Sequence, residues 1–275
     1  VITLLMVEII KKYKIGTRRF GFINWIGVFA LYQKETLRFL NVWIQTIFSP
    51  IISALLFLSV LSLAIGNERG DVLGVPFISF LAPGLIAMQV IQQSFSHSSS
   101  SFMIGKIQGN IVDILYAPLS ASEVTFAITF AAVTRSAMIA FISIIVFYIL
   151  IDIQIKNFFT LIVFTFLSSF MLGSLGIIAG LWAEKFDHMA TVTNFIIVPL
   201  SFLSGTFYSI ERLPDFLKII SKANPFFYMI DGFRYSFIGQ SDGSLTFGII
   251  YLTFLGLLTW TVAYLLYKKG YKIKS

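Results

Sequence analysis

The sequence predicts an all-α integral membrane protein, with six transmembrane helices, an N-terminal interfacial helix and two short outer re-entrant helices before the last span. Three observations predict it. Of the 275 residues, 57% are hydrophobic and only 12% are charged, against about 25% charged in soluble domains. The mean hydropathy is +0.88. Six long runs are charge-free or nearly so, and each matches the roughly 20 apolar residues a helix needs to cross the hydrocarbon layer. Helices satisfy their backbone polar groups within one segment, and the short alternating strands of a barrel do not occur. The chain has no cysteine, which excludes a disulfide framework and a thiolate metal site.

Residues 1–23 are read as a cytoplasmic tail. Lys11, Lys12, Lys14, Arg18 and Arg19 follow its apolar residues, the wrong order for a signal peptide. Residues 24–41 read as the interfacial helix. Trp25, Phe29, Tyr32, Thr36 and Phe39 recur every three or four residues, with Lys34 opposite, so the helix is expected to lie in the membrane plane. Its alternative is a kinked extension of the first span. The spans are expected at about 42–66, 75–98, 124–150, 158–182, 189–207 and 245–267, and residues 268–275 form a second cytoplasmic tail.

Between spans two and three lies GNIVDILYAPLSASE, Gly109 to Glu123. Ile107, Ile111, Ile114 and Leu115 share one side of a short helix at about 109–117. Pro118 stops it, because the residue before proline avoids the helical region. Ser120 or Ser122 then caps span three, with Glu123 in its first turn. Two helical turns are too short to stand alone, so this piece must dock on lipid or on another protein, unless it is a solvated turn. Between spans five and six, residues 213–238 form two apolar pieces broken at Asn224-Pro225. They are read as re-entrant rather than surface-lying, a backbone arrangement that needs protein or a cavity around it. Asp231 and Arg234, three residues apart, can pair.

Basic residues set the orientation. With both termini inside, the cytoplasmic segments hold Lys11, Lys12, Lys14, Arg18, Arg19, Lys34, Arg38, Lys106, Lys185, Lys268, Lys269, Lys272 and Lys274. The outside holds only Arg69, Lys156, Arg212, Lys218, Lys222 and Arg234. Arg135 stands alone near the middle of span three, where a charge costs at least about 2.5 kcal/mol. It either contacts an anionic substrate headgroup or another span, or bonds backbone carbonyls. His97, His188 and LGSLG (Leu172–Gly176) superficially suggest an intramembrane hydrolase. Nothing in the pattern holds a base against a nucleophile, and small residues in spans serve close helix packing.

LAPGLIAM (81–88), NIVDILYAPLSASE (110–123), FLSGTFYSIERLP (202–214) and NPFFYMIDGFRY (224–235) occur in that order, between an interfacial helix and a last span. Motifs and order together resemble the permease subunit of the type-2 ABC exporter family, over about residues 25–270. The resemblance implies two copies of the chain working with two copies of a separate ATPase subunit. ATP and magnesium would bind in that partner; no GxxxxGK[ST] phosphate loop occurs in this sequence. It further implies that Asn110, Ile111, Asp113, Ile114 and Leu115 lie on the ATPase-coupling helix, with Lys34, Glu35 and Arg38 adding contacts. Arg135, Phe202, Phe207, Tyr208, Phe226, Phe227 and Arg234 would line the substrate path or its gate. The expected setting is the bacterial inner membrane, among lipid and with no nucleic acid or metal. The charge-poor spans suit an amphiphilic cargo: a drug, a lipid or a lipid-linked glycan. The competing class is a secondary transporter or channel without an ATPase, for which intramembrane acids on an ion path would argue.

Overall fold

A computed structural model describes residues 22–65 and 70–273. Nearly all of the expected N-terminal tail, Arg69 and Lys274 lie outside the described residues. Among the described residues the fold is helical, with one isolated bridge between Val72 and Val75. Helix α1 is Trp25–Leu40. Span one joins a π-helical turn, Ile44–Phe48, to α2, Ser49–Ile65. Span two is α3, Phe77–Ile107, followed by the short α4, Ile111–Tyr116. Spans three and four are α5, Ala121–Ile151, and α6, Phe158–Trp182. Span five joins α7, Phe186–Val192, a second π turn, Thr193–Ile197, and α8, Val198–Leu203. Then come α9, Asp215–Ala223, and α10, Pro225–Ile238, before span six, α11, Leu245–Lys268. Six of these helical stretches are long and apolar enough to cross a membrane.

The starts follow local capping chemistry. Asn24, Asn157 and Ser244 accept from the backbone N–H groups of Gly27, Thr160 and Phe247. Ser120 and Glu123 form a reciprocal capping box on span three. Spans two and four make the centre: 78% and 61% of their apolar windows are buried, against 17% for spans five and six. Close approach there depends on small residues. A Cβ added at Gly176 would stand 2.5 Å from the carbonyl oxygen of Phe95, and one at Gly180 would stand 2.8 Å from that of Ser99. LGSLG is therefore a packing face.

One expected boundary moves. Span two runs to Ile107, beyond the expected end at 98. Its serine-rich stretch stays helical because Ser94, Ser99 and Ser100 donate back to the carbonyls of Val90, Ser96 and His97. In α1 the inward stripe is Val28, Leu31, Glu35 and Phe39, while Trp25 and Phe29 are exposed. In α9 the apolar residues Phe216, Ile219 and Ile220 face away from the bundle. Helix α10, by contrast, is buried along most of its length against spans two and four.

Candidate functional site

Helix α4 is anchored by two residues and presents the others. Ile111 and Ile114 turn inward onto a cluster with Leu31, Phe102, Val124 and Ile128. Val112, Asp113, Leu115 and Tyr116 are exposed, Tyr116 at 86%. Asn110 is the exposed N-cap position, and its amide bonds Gln108. The φ of +77° at Gly109 makes the turn into α4, and the chain leaves it extended at Ala117, before Pro118. The Glu123 carboxylate then ties three elements together. One oxygen accepts from the backbone N–H of Asn24 at 2.6 Å, the other from that of Ser120 at 2.6 Å. The Asn24 side chain donates to the carbonyl of Pro118 at 3.0 Å. The start of α1, the end of the α4 loop and the start of span three are thus one clamp.

Lys34 of α1 is exposed, but Glu35 and Arg38 are not free surface residues. Glu35 is 2% exposed and accepts from Arg38 Nε at 3.0 Å. Arg38 also donates to the His97 carbonyl and to Ser100 Oγ. His97 is fully buried, its Nε2 3.8 Å from the Glu35 carboxylate. Tyr32 adds a hydroxyl–hydroxyl bond to Thr134 at 2.8 Å. The next residue, Arg135, is buried and donates through Nη2 to Gln93 Oε1 at 2.5 Å. Its partner is a side-chain amide of span two rather than an acid or a carbonyl. Gln93 in turn lines a cleft of about 240 Å³ with Gln89, Gln92 and Gln45. Phe202 and Phe207 line the same cleft, their rings 5.3 Å apart.

The remaining expected path residues have other surroundings. Phe226 and Phe227 lie in the core, and the Tyr208 hydroxyl donates to the carbonyl of Leu203. Asp231 and Arg234 do not pair. Asp231 accepts from the backbone N–H groups of Asp242 and Gly243, both at 2.9 Å. Arg234 lies over the Phe80 ring at 3.8 Å and donates to the carbonyls of Gly205 and Thr206. Backbone groups of two loops have claimed both charges.

At the α4 end of the bundle, Lys106 donates to the carbonyls of Leu181 and Ala183, closing the C-terminus of span four. Nearby, Lys272 pairs with Glu184 at 2.7 Å. The lysine's hydrogen bond and charge hold the Glu184 carboxyl below its usual range. Sequence reasoning missed Gln93, Gln89 and Gln92. Their spacing of three and four residues was visible, but not which face of span two they occupy. It placed Glu123 in the first turn without its second partner, 99 residues away.

A six-helix membrane bundle with a short helix clamped at its rim and a polar cleft between spans belongs to the polytopic membrane transport proteins. The family model for the ABC-2 type transporter matches residues 27–238, and the chain belongs to the ABC-2 type transporter family. It is 31% identical over 244 residues to the inner membrane transport permease YadH of Escherichia coli (strain K12), covering 87% of this chain and 95% of that one. It is 24% identical over 230 residues to nodulation protein J of Rhizobium leguminosarum bv. viciae, covering 82% of this chain and 86% of that one. Nodulation protein J of Neorhizobium galegae is 21% identical over 227 residues, with the same coverage of 82% and 86%.

Proposed function

We propose that this permease is the membrane half of an ATP-driven exporter in the bacterial inner membrane. Two copies work with two separate ATPase subunits, which bind ATP and magnesium, and both termini face the cytoplasm. The cargo is an amphiphile that leaves between the two copies. The observation that carries this reading is α4: its inner residues, Ile111 and Ile114, are spent on the bundle, while Val112, Leu115 and Tyr116 stay exposed. An apolar surface of that kind on a six-residue helix fits a protein partner better than water. Through the Glu123 clamp, a push on α4 acts on α1 and span three together. Exposed Lys34 adds a contact beside it, whereas Glu35 and Arg38 hold α1 to span two. Phe202 and Phe207 lie on the cargo's route. Tyr208, Phe226, Phe227 and Arg234 brace the outer region around it.

The test is to purify the chain with a co-expressed ATPase subunit and measure magnesium-dependent ATP hydrolysis in the complex. Leu115→Asp should cut association at least tenfold while the permease still folds and elutes as wild type. Undiminished association of Leu115→Asp, Tyr116→Ala and their double variant would remove α4 as the contact.

A further inference from the structure

We infer that the cleft between spans one, two and five binds the phosphate group of an amphiphile. This deepens the proposed function and rests on it for the cargo being amphiphilic. Gln89, Gln92 and Gln93 follow a spacing of three and four residues on span two, which sets them on one helical face. Arg135 fixes how Gln93 points. Because the amide oxygen accepts from the guanidinium, the amide NH2 is left to donate into the cleft. The side chains of Gln89 and Gln92 make no hydrogen bond among the described residues, so their donors are free for a ligand.

Charge selects the ligand. Arg135 is buried, its Nε has no partner, and no acid lies within ion-pair distance of it among the described residues. The nearby half-buried arginine, Arg38, already has Glu35. One positive charge therefore stays uncompensated behind a wall of amide donors, and a buried charge of this kind calls for an opposite one. At another part of the cleft, Phe57, Phe202 and Phe207 form a ring cluster with centroids 5.3 and 6.4 Å apart. Amide donors and phenyl rings in one cleft match an anionic head joined to an apolar tail. A neutral sugar would leave the arginine unanswered. Free phosphate would make no use of the rings.

The experiment is native mass spectrometry of the purified full-length chain, titrated separately with dioctanoyl phosphatidic acid, dioctanoylglycerol, a dioctanoyl galactolipid and inorganic phosphate. Phosphatidic acid should bind at least tenfold tighter than each of the other three. Gln93→Leu and Gln92→Leu should each reduce that preference below threefold. Gln92→Leu keeps the test valid if Gln93→Leu misfolds, because Gln92 has no partner to lose. Equal binding of the galactolipid, equal binding of inorganic phosphate, or an unchanged preference in Gln92→Leu would each overturn the inference. The binding needs neither ATP nor a partner subunit. Loss of ATPase association in Leu115→Asp and loss of phosphate preference in Gln92→Leu are thus independent results, and either reading can fail alone.

Discussion

A Cβ added at Gly84 would stand 2.7 Å from the Thr206 carbonyl oxygen and 2.8 Å from Arg234 Nη2. The glycine of LAPGLIAM therefore makes room for the arginine of NPFFYMIDGFRY and for the loop it binds. Gly84→Ala should cost about 1–3 kcal/mol through overpacking. Arg234→Ala should cost about 3 kcal/mol, because two carbonyls lose their donor in a buried place. The two residues would be in contact, so the double variant should lose less than the sum. Thermal melts in detergent check this, and a Gly84→Ala protein that melts like wild type would refute the close approach. Glu123→Ala removes two charge-assisted bonds and a capping box. A loss of about 2–4 kcal/mol is expected, with Glu123→Gln intermediate because it keeps one acceptor.

Within six residues, helix α4 separates side chains that pack the core from side chains that stay exposed. Ile114→Ala should lower the melting stability by about 2 kcal/mol, since it empties a place in the core cluster. Leu115→Ala should leave the melt within about 0.5 kcal/mol and show its effect only with an ATPase present. Equal melts for the two variants would contradict the inward and outward assignment. Much of this element was legible in the sequence, because its limits obey local rules: a turn glycine, a stop before Pro118, a cap at Ser120. Its facing was not, since the choice between Ile114 and Leu115 is made by Phe102 and Val124 on other helices. Span two outran its expected end because serine hydroxyls bonded within their own helix, which hydropathy alone counts as an interruption. The inward stripe of α1 was not legible for the same kind of reason. Glu35 enters the interior only because Arg38 and His97 wait for it there, and periodicity places neither. The i,i+3 rule paired Asp231 with Arg234, but loop backbone groups outcompeted both. The C-terminal contact has a pH signature. Lys272 depresses the Glu184 carboxyl, so the tie holds above the unfolded carboxylate value of about 4.3 and is lost as pH falls through the lowered folded value. Limited proteolysis after Lys268 should stay slow at pH 7 and speed up only below the ordinary carboxylate range. A transition at or above the ordinary carboxylate value would show that the pair does not form.

The whole bundle has a rigid centre and two spans built to bend. Spans one and five each contain a π turn, Ile44–Phe48 and Thr193–Ile197, and each has a proline two residues beyond it, Pro50 and Pro199. Ser49 and Val198 donate back to the carbonyls of Ile44 and Thr193, the wide π spacing. Each proline then withholds the next helical bond, and π turns and prolines are the ordinary causes of helix kinks. Both spans are poorly packed, at 28% and 17% buried, and both border the glutamine cleft through Gln45 and Phe202. Weak points in two spans that line one cleft predict that these spans flex while spans two and four stay fixed. Backbone amides at 44–48 and 193–197 should exchange hydrogen at least tenfold faster than those at 90–94 in span two. Pro50→Ala and Pro199→Ala should slow that exchange and raise the melting temperature, since an interior proline costs a helix about 3 kcal/mol. Under the proposed function, both should also lower ATP-driven transport, because stability gained at a moving joint is taken from motion. Exchange at the two π turns as slow as in span two would leave the cleft with fixed walls, and an amphiphile would then need another way in.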